Sequence, residues 1–481
     1  MNKHRSEVYI PENLDLNELL VQRPPVEITK FSKDKLAYII GLISSIPVHN
    51  KRLSHNSRYV PIHAATLQNH IKDYRQYFNY LIRCGIIDSN HQYIPGEHSI
   101  GYAFTSEYTR FLKPEPISSY TLSKLVRFAS HNQDTSRQYQ FLTKWFTGSL
   151  QIDKTAADEY LYRLYQNNCR IPDGTNPVYK YNYSKTAIEN IYHQNFYYGK
   201  DDNVGRFHSN LTNLKSVFRN FITFDGQPLV SVDIKNSQLC FSGILLNENF
   251  YKNFREPKKV HYFNDINHNL FDINHNLFNI NDIIIDNDRY KSINKTNRLN
   301  NIISYIMIGK DELSHDSSYF QLYTQKSEEG LIYEYISDEV FRQSGRIFKD
   351  RKELKEIVFT ALFTDNRFIA QPEAEPKRIF RDTFPPVYNL FSLIKKGDST
   401  VLPRLLQTIE AKLMLDHVAL RISREKPYLP IYTIHDSIVC PVGYEQYVST
   451  VIQEEMIQAI GISPTLKCDR WSPDVINACK P

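Results

Sequence analysis

The chain has 481 residues, enough for several domains and a substantial core, and carries a net charge of +5 with a pI near 8.6, which permits nucleic acid as a partner without requiring it. Its six cysteines, at 84, 169, 240, 440, 468 and 479, show neither a Cys-x-x-Cys pair nor an extracellular spacing, which argues for reduced thiols and against structural zinc. The first 21 residues are polar and acidic, unlike a secretory signal, and no apolar run approaches membrane-spanning length, so a cytoplasmic protein without a membrane partner is expected.

Residues 1 to 30 hold Pro11, Pro24 and Pro25 and little periodicity, which predicts an N-terminal arm or linker. Residues 31 to 116 read as a winged helix-turn-helix-like module. Helices are expected over 35–45 and 64–72, and a third takes its apolar face from Tyr74, Tyr77, Phe78, Leu81 and Ile82. Cys84-Gly85 stops that helix, and a β-hairpin follows over 86–105 with Pro95-Gly96 in its middle. Between Lys51 and Arg83, six Lys or Arg stand against one acid, Asp73. This face is a candidate for phosphate contact; packing against the rest of the chain or against another protein is the alternative. Residues 117 to 204 are helical in texture, as in Phe141 to Phe146 and Ala156 to Tyr165.

The next stretch, Leu229-Val-Ser-Val-Asp233, reads as a buried strand that delivers a carboxylate to its end. A tandem repeat follows, Asp265 to Phe271 copied at once as Asp272 to Phe278, in an Asn- and Ile-rich tract. His268 and His275 with Asp265 and Asp272 could bind a metal, but a local duplication in a solvated loop explains the same residues. Further on, Arg351, Lys355, Phe359 and Phe363 recur at intervals of four, so a helix would carry them as one stripe, cationic and then aromatic. Such a stripe could grip a triphosphate and stack its base; a surface helix with snorkelling cations gives the same spacing. Residues 401 to 422 predict one long amphipathic helix, with Leu402, Leu406, Ile409, Leu413 and Leu420 on one face and Gln407 on another. Ile431 to Pro441 predicts a hairpin with His435-Asp436 at its tip, and residues 444 to 460 another helix. Two carboxylates converging from strand ends suit Mg²⁺, which takes one or two carboxylates and fills its other positions with water and phosphate.

Together and in this order, these stretches resemble the family A DNA polymerases and their relatives, the single-subunit, phage-type RNA polymerases, as a divergent member. The first palm motif of the family is matched by Asp233, the fingers helix Arg-x3-Lys-x3-Phe by Arg351, Lys355 and Phe359, and the last palm motif by His435-Asp436. Gly205-Arg206, Arg219-Asn-Phe221, Phe384-Pro-Pro-Val387 and Gln407 resemble smaller elements in their expected places, and the likeness spans roughly Gly205 to Met456. It implies an α+β fold: a right-hand polymerase with an antiparallel palm sheet (205–249 and 399–481), a helical thumb (117–204), fingers with the Asn-rich insertion (250–398), and the N-terminal winged-helix-like module. No proofreading exonuclease is expected, since its Asp-x-Glu pair does not occur in the first 200 residues.

The resemblance also implies roles. Asp233 and Asp436, with the Ile234 carbonyl, would bind two Mg²⁺ ions, which Mn²⁺ could replace. Arg351 and Lys355 would hold the phosphates of a dNTP or NTP, Lys355 also protonating the leaving group. Phe359, Phe363 and Gln238 would shape the base and sugar pocket, while Arg206, Gln407 and His435 would contact the DNA (or RNA) primer-template. The product stays open. Gln238 and Phe363 replace the Glu and Tyr with which the DNA enzymes exclude a 2′-hydroxyl, and His435-Asp436-Ser437 matches the RNA polymerase pattern. DNA is the leading expectation; an RNA polymerase or primase, a template-independent nucleotidyltransferase in phage defence, and a non-catalytic replication initiator are the alternatives.

Overall fold

The computed structural model describes residues 6–49, 58–94, 99–128, 133–171, 174–247, 301–302, 304–306, 315–367 and 369–474. The tandem heptad with His268 and His275 and the tip of the 86–105 hairpin lie outside them. The fold mixes helices with antiparallel sheet, and the chain divides into two compact units: residues 1–199, 208–229 and 470–481 form one, residues 200–207 and 230–469 the other. No described helix is long and apolar enough to cross a membrane.

In the first unit, residues expected as an arm are built into the core instead. Val8 and Ile10 alternate with Glu7 and Tyr9, and Ser6–Pro11 forms a strand paired antiparallel with Leu112–Ile117. The helix Leu16–Gln22 follows, capped by the Asp15 carboxylate, which accepts from the amides of Asn17 and Glu18. Ile10, Leu14, Leu16, Leu19 and Ile28 are all buried in one cluster with the helices Lys33–His49 and Tyr74–Arg83. The strand partner carries Pro114 and Pro116, which an isolated two-stranded ribbon tolerates because each strand has an unpaired edge. Ile10→Ala is therefore expected to destabilise the protein by about 2–5 kcal/mol, whereas truncation within a true arm would cost nothing measurable in urea denaturation.

The Tyr74–Arg83 helix buries Tyr74, Tyr77, Phe78, Tyr80 and Leu81, while Ile82 stays partly exposed. Gly85, at φ +72°, turns the chain after it into the left-handed region that a side chain disfavours. Ile87–Ser89 then pairs antiparallel with Gly101–Phe104, and Val60–Pro61 completes a three-stranded sheet. The second predicted helix is short, Ala64–Gln68. Beyond it, Lys154–Arg170 and Pro177–Tyr192 face each other through Lys154, Asp158, Lys185 and Glu189, whose ion pairs span 2.6–3.1 Å.

The second unit holds the later part of the strand Gln227–Ile234, beside which lie Ser437–Pro441 and Leu466–Arg470. The same unit contains the helices Ser237–Gly243, His315–Glu328, Ile332–Ser344, Arg351–Phe363, Pro385–Ile394 and Glu445–Ile460. Phe384, expected to mark a segment after the fingers helix, is a core residue with Tyr323, Phe380 and Phe391. The helix expected over 401–422 is three segments: Val401–Lys412, a π-helical Leu413–Ala419, and Leu420–Glu425. The wider π turn changes which residues face inward, so Met414, Leu415, Val418 and Ala419 are buried as well as the predicted stripe, and Leu420 is not.

A candidate active site with paired carboxylates

Strand Gln227–Ile234 is buried from Leu229 to Ile234 except at Asp233, which is half-buried at its end. Ser231 Oγ donates to Asp233 Oδ2 at 2.9 Å. The chain then turns at Asn236, at φ +52°, where a short polar side chain tolerates the left-handed conformation, and starts the helix Ser237–Gly243. Tyr432–Ile434 and Ser437–Pro441 pair antiparallel, with Ile434 opposite Ser437, which leaves His435-Asp436 as the two-residue tip. His435 takes φ +56° there.

These two stretches, some two hundred positions apart, are joined directly: the Ile234 amide donates to the Asp436 carbonyl at 3.4 Å. Burial pushes the Asp233 carboxyl above the usual range, and the charges of Asp436 and Asp469 push the same way, against hydrogen bonds from Ser231 and Ser437. Asp436 is also raised by burial, with the Ser237 hydroxyl and the Arg206 charge pulling it back. Two desolvated carboxylates that resist ionisation side by side form a donor set that a hard cation would relieve. Among the described residues no group of three or more His, Cys, Asp or Glu gathers as a metal site, so a cation here would rely on water and phosphate oxygens for its remaining ligands.

Behind the pair lies a residue that the motifs do not point to. Glu410, on Val401–Lys412, is 1% exposed and accepts from Arg206 Nε at 2.9 Å, Arg206 Nη2 at 2.8 Å and Gln238 Nε2 at 2.5 Å. Arg206 is presented by a turn in which Gly205 has φ +73° and the Arg206 amide donates to Asp201 Oδ2. Burial pushes the Glu410 carboxyl up to about 7, against the pull of Arg206 and Gln238. The structure thus brings Arg206 and Gln238 together around Glu410. Gln407, half-buried, lies one turn before Glu410 on the same helix.

The helix Arg351–Phe363 matches its predicted span and is capped by Asp350, whose carboxylate accepts from the Lys352 and Glu353 amides. Leu354, Ile357, Val358, Ala361 and Leu362 face inward, which leaves Arg351, Lys355 and Phe359 exposed. Phe359 and Phe363 stack at 5.4 Å. Arg351 pairs with Glu334 at 3.4 Å and lies over the Tyr333 ring; among the described residues no hydrogen bond or ion pair links it or Lys355 to Asp233 or Asp436. No glycine ends this helix. Its last carbonyls are taken by Lys395, 2% exposed, which donates to Ala361 O at 2.6 Å and Thr364 O at 2.9 Å, while the buried Lys377 donates to Asp365 O.

Burial, with repulsion from Lys377, pushes the Lys395 ammonium down to about 7. The unfolded chain keeps that proton up to about 10.5, so the lysine's contribution to stability rises as pH climbs from about 7 to 10.5. Urea denaturation at about pH 7 and about pH 9.5 is expected to show the wild type gaining on Lys395→Met at the higher pH. An unchanged difference would mean that the amine is solvated.

No protein-family model matches the chain, and no curated protein sequence matches it. Among solved structures, the chain is similar to the POL domain of Pol1 from M. smegmatis in complex with DNA primer-template and dNTP, at 11% identity and a TM-score of 0.24, with 65% of this chain covered. The chain spans 56% of the length of that structure.

Proposed function

We propose that this chain is a template-directed nucleotidyltransferase that joins dNTPs to a primer 3′-hydroxyl. The observation that supports the reading is the hydrogen bond from the Ile234 amide to the Asp436 carbonyl, which ties the end of the Asp233 strand to the hairpin tip, with the Asp436 charge acting on the desolvated Asp233 carboxyl. Asp233 and Asp436, helped by the Ile234 carbonyl, would hold two Mg²⁺ ions. Bound there, such ions activate the attacking hydroxyl and neutralise the leaving pyrophosphate.

The other residues bind and orient. Arg351 and Lys355 are exposed along one face of their helix and would grip the β and γ phosphates, with Lys355 the donor to the leaving group. The stacked Phe359 and Phe363 continue that face and suit a base and sugar. Gln238 is oriented by Glu410, so its amide N–H is committed and the side chain cannot rotate freely beneath a sugar. His435, at the hairpin tip beside Asp436, and Gln407 would meet the primer-template, where minor-groove acceptors let pair shape be checked without reading sequence. Within the palm, thumb and fingers assignment, residues 205–249 and 399–481 form the palm, residues 117–204 the thumb and residues 250–398 the fingers, in a cytoplasmic enzyme.

Primer extension with Mg²⁺, offering dNTPs and rNTPs separately, with and without template, tests this reading. Template-dependent incorporation with a preference for dNTPs is expected. Equal tailing without template would replace it with a template-independent transferase, rNTP preference with an RNA polymerase, and no incorporation at all with a non-catalytic role.

A further inference from the structure

The helix Tyr74–Arg83 has two chemically different sides. Its inner side is spent on the core: Tyr74, Tyr77, Phe78, Tyr80 and Leu81 are buried, Phe78 stacks on Tyr102 at 4.0 Å, and the Tyr80 hydroxyl donates to Arg23 O at 2.6 Å. Its outer side carries Arg75, Gln76, Asn79 and Arg83, with Lys72 in the turn just before. All five are exposed, and intervals of three and four residues put them on one face. We propose that this face enters the major groove of duplex DNA, as the reading helix of a winged helix-turn-helix.

The surrounding elements come in the order that such a module requires. Lys33–His49 is followed by Val60–Pro61, the short helix Ala64–Gln68, a turn over 69–73 and Tyr74–Arg83, and then by Ile87–Ser89 and Gly101–Phe104. Gly101–Phe104 lies between the other two strands of the sheet. Ile71 is buried in the turn, and its carbonyl accepts from the Tyr74 amide at 3.1 Å, which ties the turn to the start of the helix. From residue 69 to residue 87 the sequence holds one acid, Asp73, and its carboxylate is engaged by Lys35 Nζ at 2.9 Å. Arg75 is steadied by a neutral neighbour: its Nε donates to the Tyr74 hydroxyl at 3.2 Å. Among the described residues Lys72, Gln76 and Asn79 make no side-chain hydrogen bond or ion pair. Arg83 is already paired with Glu27, so phosphate contact falls to Lys72 and Arg75.

Duplex DNA is the occupant that this face fits. A helix of ten residues is about 15 Å long, and the B-form major groove, about 12 Å wide, admits one. Gln76 and Asn79 each present a donor and an acceptor side by side, the pattern that bridges N6 and N7 of adenine. A single strand is held by stacking on exposed aromatic rings, and this face has none. The deep, narrow groove of A-form RNA does not admit side chains, and a protein partner would need an apolar anchor where only Ile82 is partly exposed. All of these residues lie in the unit that does not contain Asp233 and Asp436, so this inference stands or fails independently of the proposed activity.

The test uses the full chain in EDTA with a closed dumbbell duplex, which offers no 3′ end to a primer site. Fluorescence anisotropy over a salt series is expected to show binding. Lys72→Gln/Arg75→Gln should bind at least about tenfold more weakly at about 0.1 M salt, with a slope of log affinity against log salt shallower by about two, one for each lost phosphate contact. Arg75→Gln alone, with a severalfold loss expected, serves should the double variant fail to fold. Arg424→Gln, exposed in the other unit, should leave the affinity unchanged. Selection from a randomised duplex pool should enrich a motif with the wild type and lose it with Gln76→Ala/Asn79→Ala. No binding of the duplex, tighter binding of an unpaired strand of the same length, unchanged affinity and slope in the Lys72 and Arg75 variants, an equal loss in Arg424→Gln, or no motif enriched by the wild type would each overturn the proposal.

Discussion

Asp233→Ala and Asp436→Ala are each expected to lower primer extension by at least about a thousandfold, the upper scale for losing one preorganised electrostatic group. Both carboxylates are desolvated and both resist ionisation, so the folded chain is strained electrostatically for the sake of the charges it holds there. The corresponding Asn variants keep the volume and remove the charge; near neutral pH they should melt at a higher temperature than the wild type while being inactive. Mg²⁺ should raise the melting temperature of the wild type and not that of Asp233→Asn, because a cation bound only to the folded state stabilises it by mass action. Undiminished synthesis in either Ala variant would remove the carboxylates from the chemistry, and equal Mg²⁺ stabilisation of both proteins would remove the cation from this pair.

Above about pH 7, where its carboxyl is charged, Glu410→Ala should destabilise the protein by about 3–5 kcal/mol, the range for taking one partner from a buried ion pair. The loss arises from Arg206 and Gln238, which both donate to this carboxylate and would be left in a site built around it. A double-mutant cycle with Arg206→Ala is expected to show strong coupling, since removing both partners leaves no orphaned charge. The pH dependence has a defined sign. The folded chain holds the Glu410 proton up to about 7 and the unfolded chain releases it near 4.5, so this group lowers stability as pH rises between those values. Glu410→Gln should flatten that slope in urea denaturation at about pH 5 and about pH 7. A cost below about 1 kcal/mol for Glu410→Ala would show that the three side chains are not a buried unit.

Much of the architecture near the carboxylates was legible locally. The run from Leu229 to Asp233, the two β-rich arms around His435-Asp436 and the four-residue stripe from Arg351 to Phe363 each carry their own periodicity, and each forms the element that the period predicts. The N-terminal strand was not legible, because Ser6–Pro11 is short, its partner begins a hundred residues later, and Pro114 and Pro116 speak against a strand there. Glu410 left no signal either. It reads as a polar position on an amphipathic helix, and its partners Arg206 and Gln238 precede it by 204 and 172 residues. Lys395 likewise looks like a surface lysine at the end of a helix.

The amino-acid order alone determined which residues form the Asp233 strand, the His435-Asp436 hairpin and the cation-bearing helix, since hydrophobic period and turn chemistry act over a few neighbours. Only the tertiary structure decided that the end of the Asp233 strand bonds to the Asp436 turn, that Glu410 accepts from both Arg206 and Gln238, and that Lys395 closes the helix ending at Phe363. Those outcomes depend on desolvation and on hydrogen-bond partners supplied by distant segments, and a charge reads the same in sequence whether water or a buried partner will surround it.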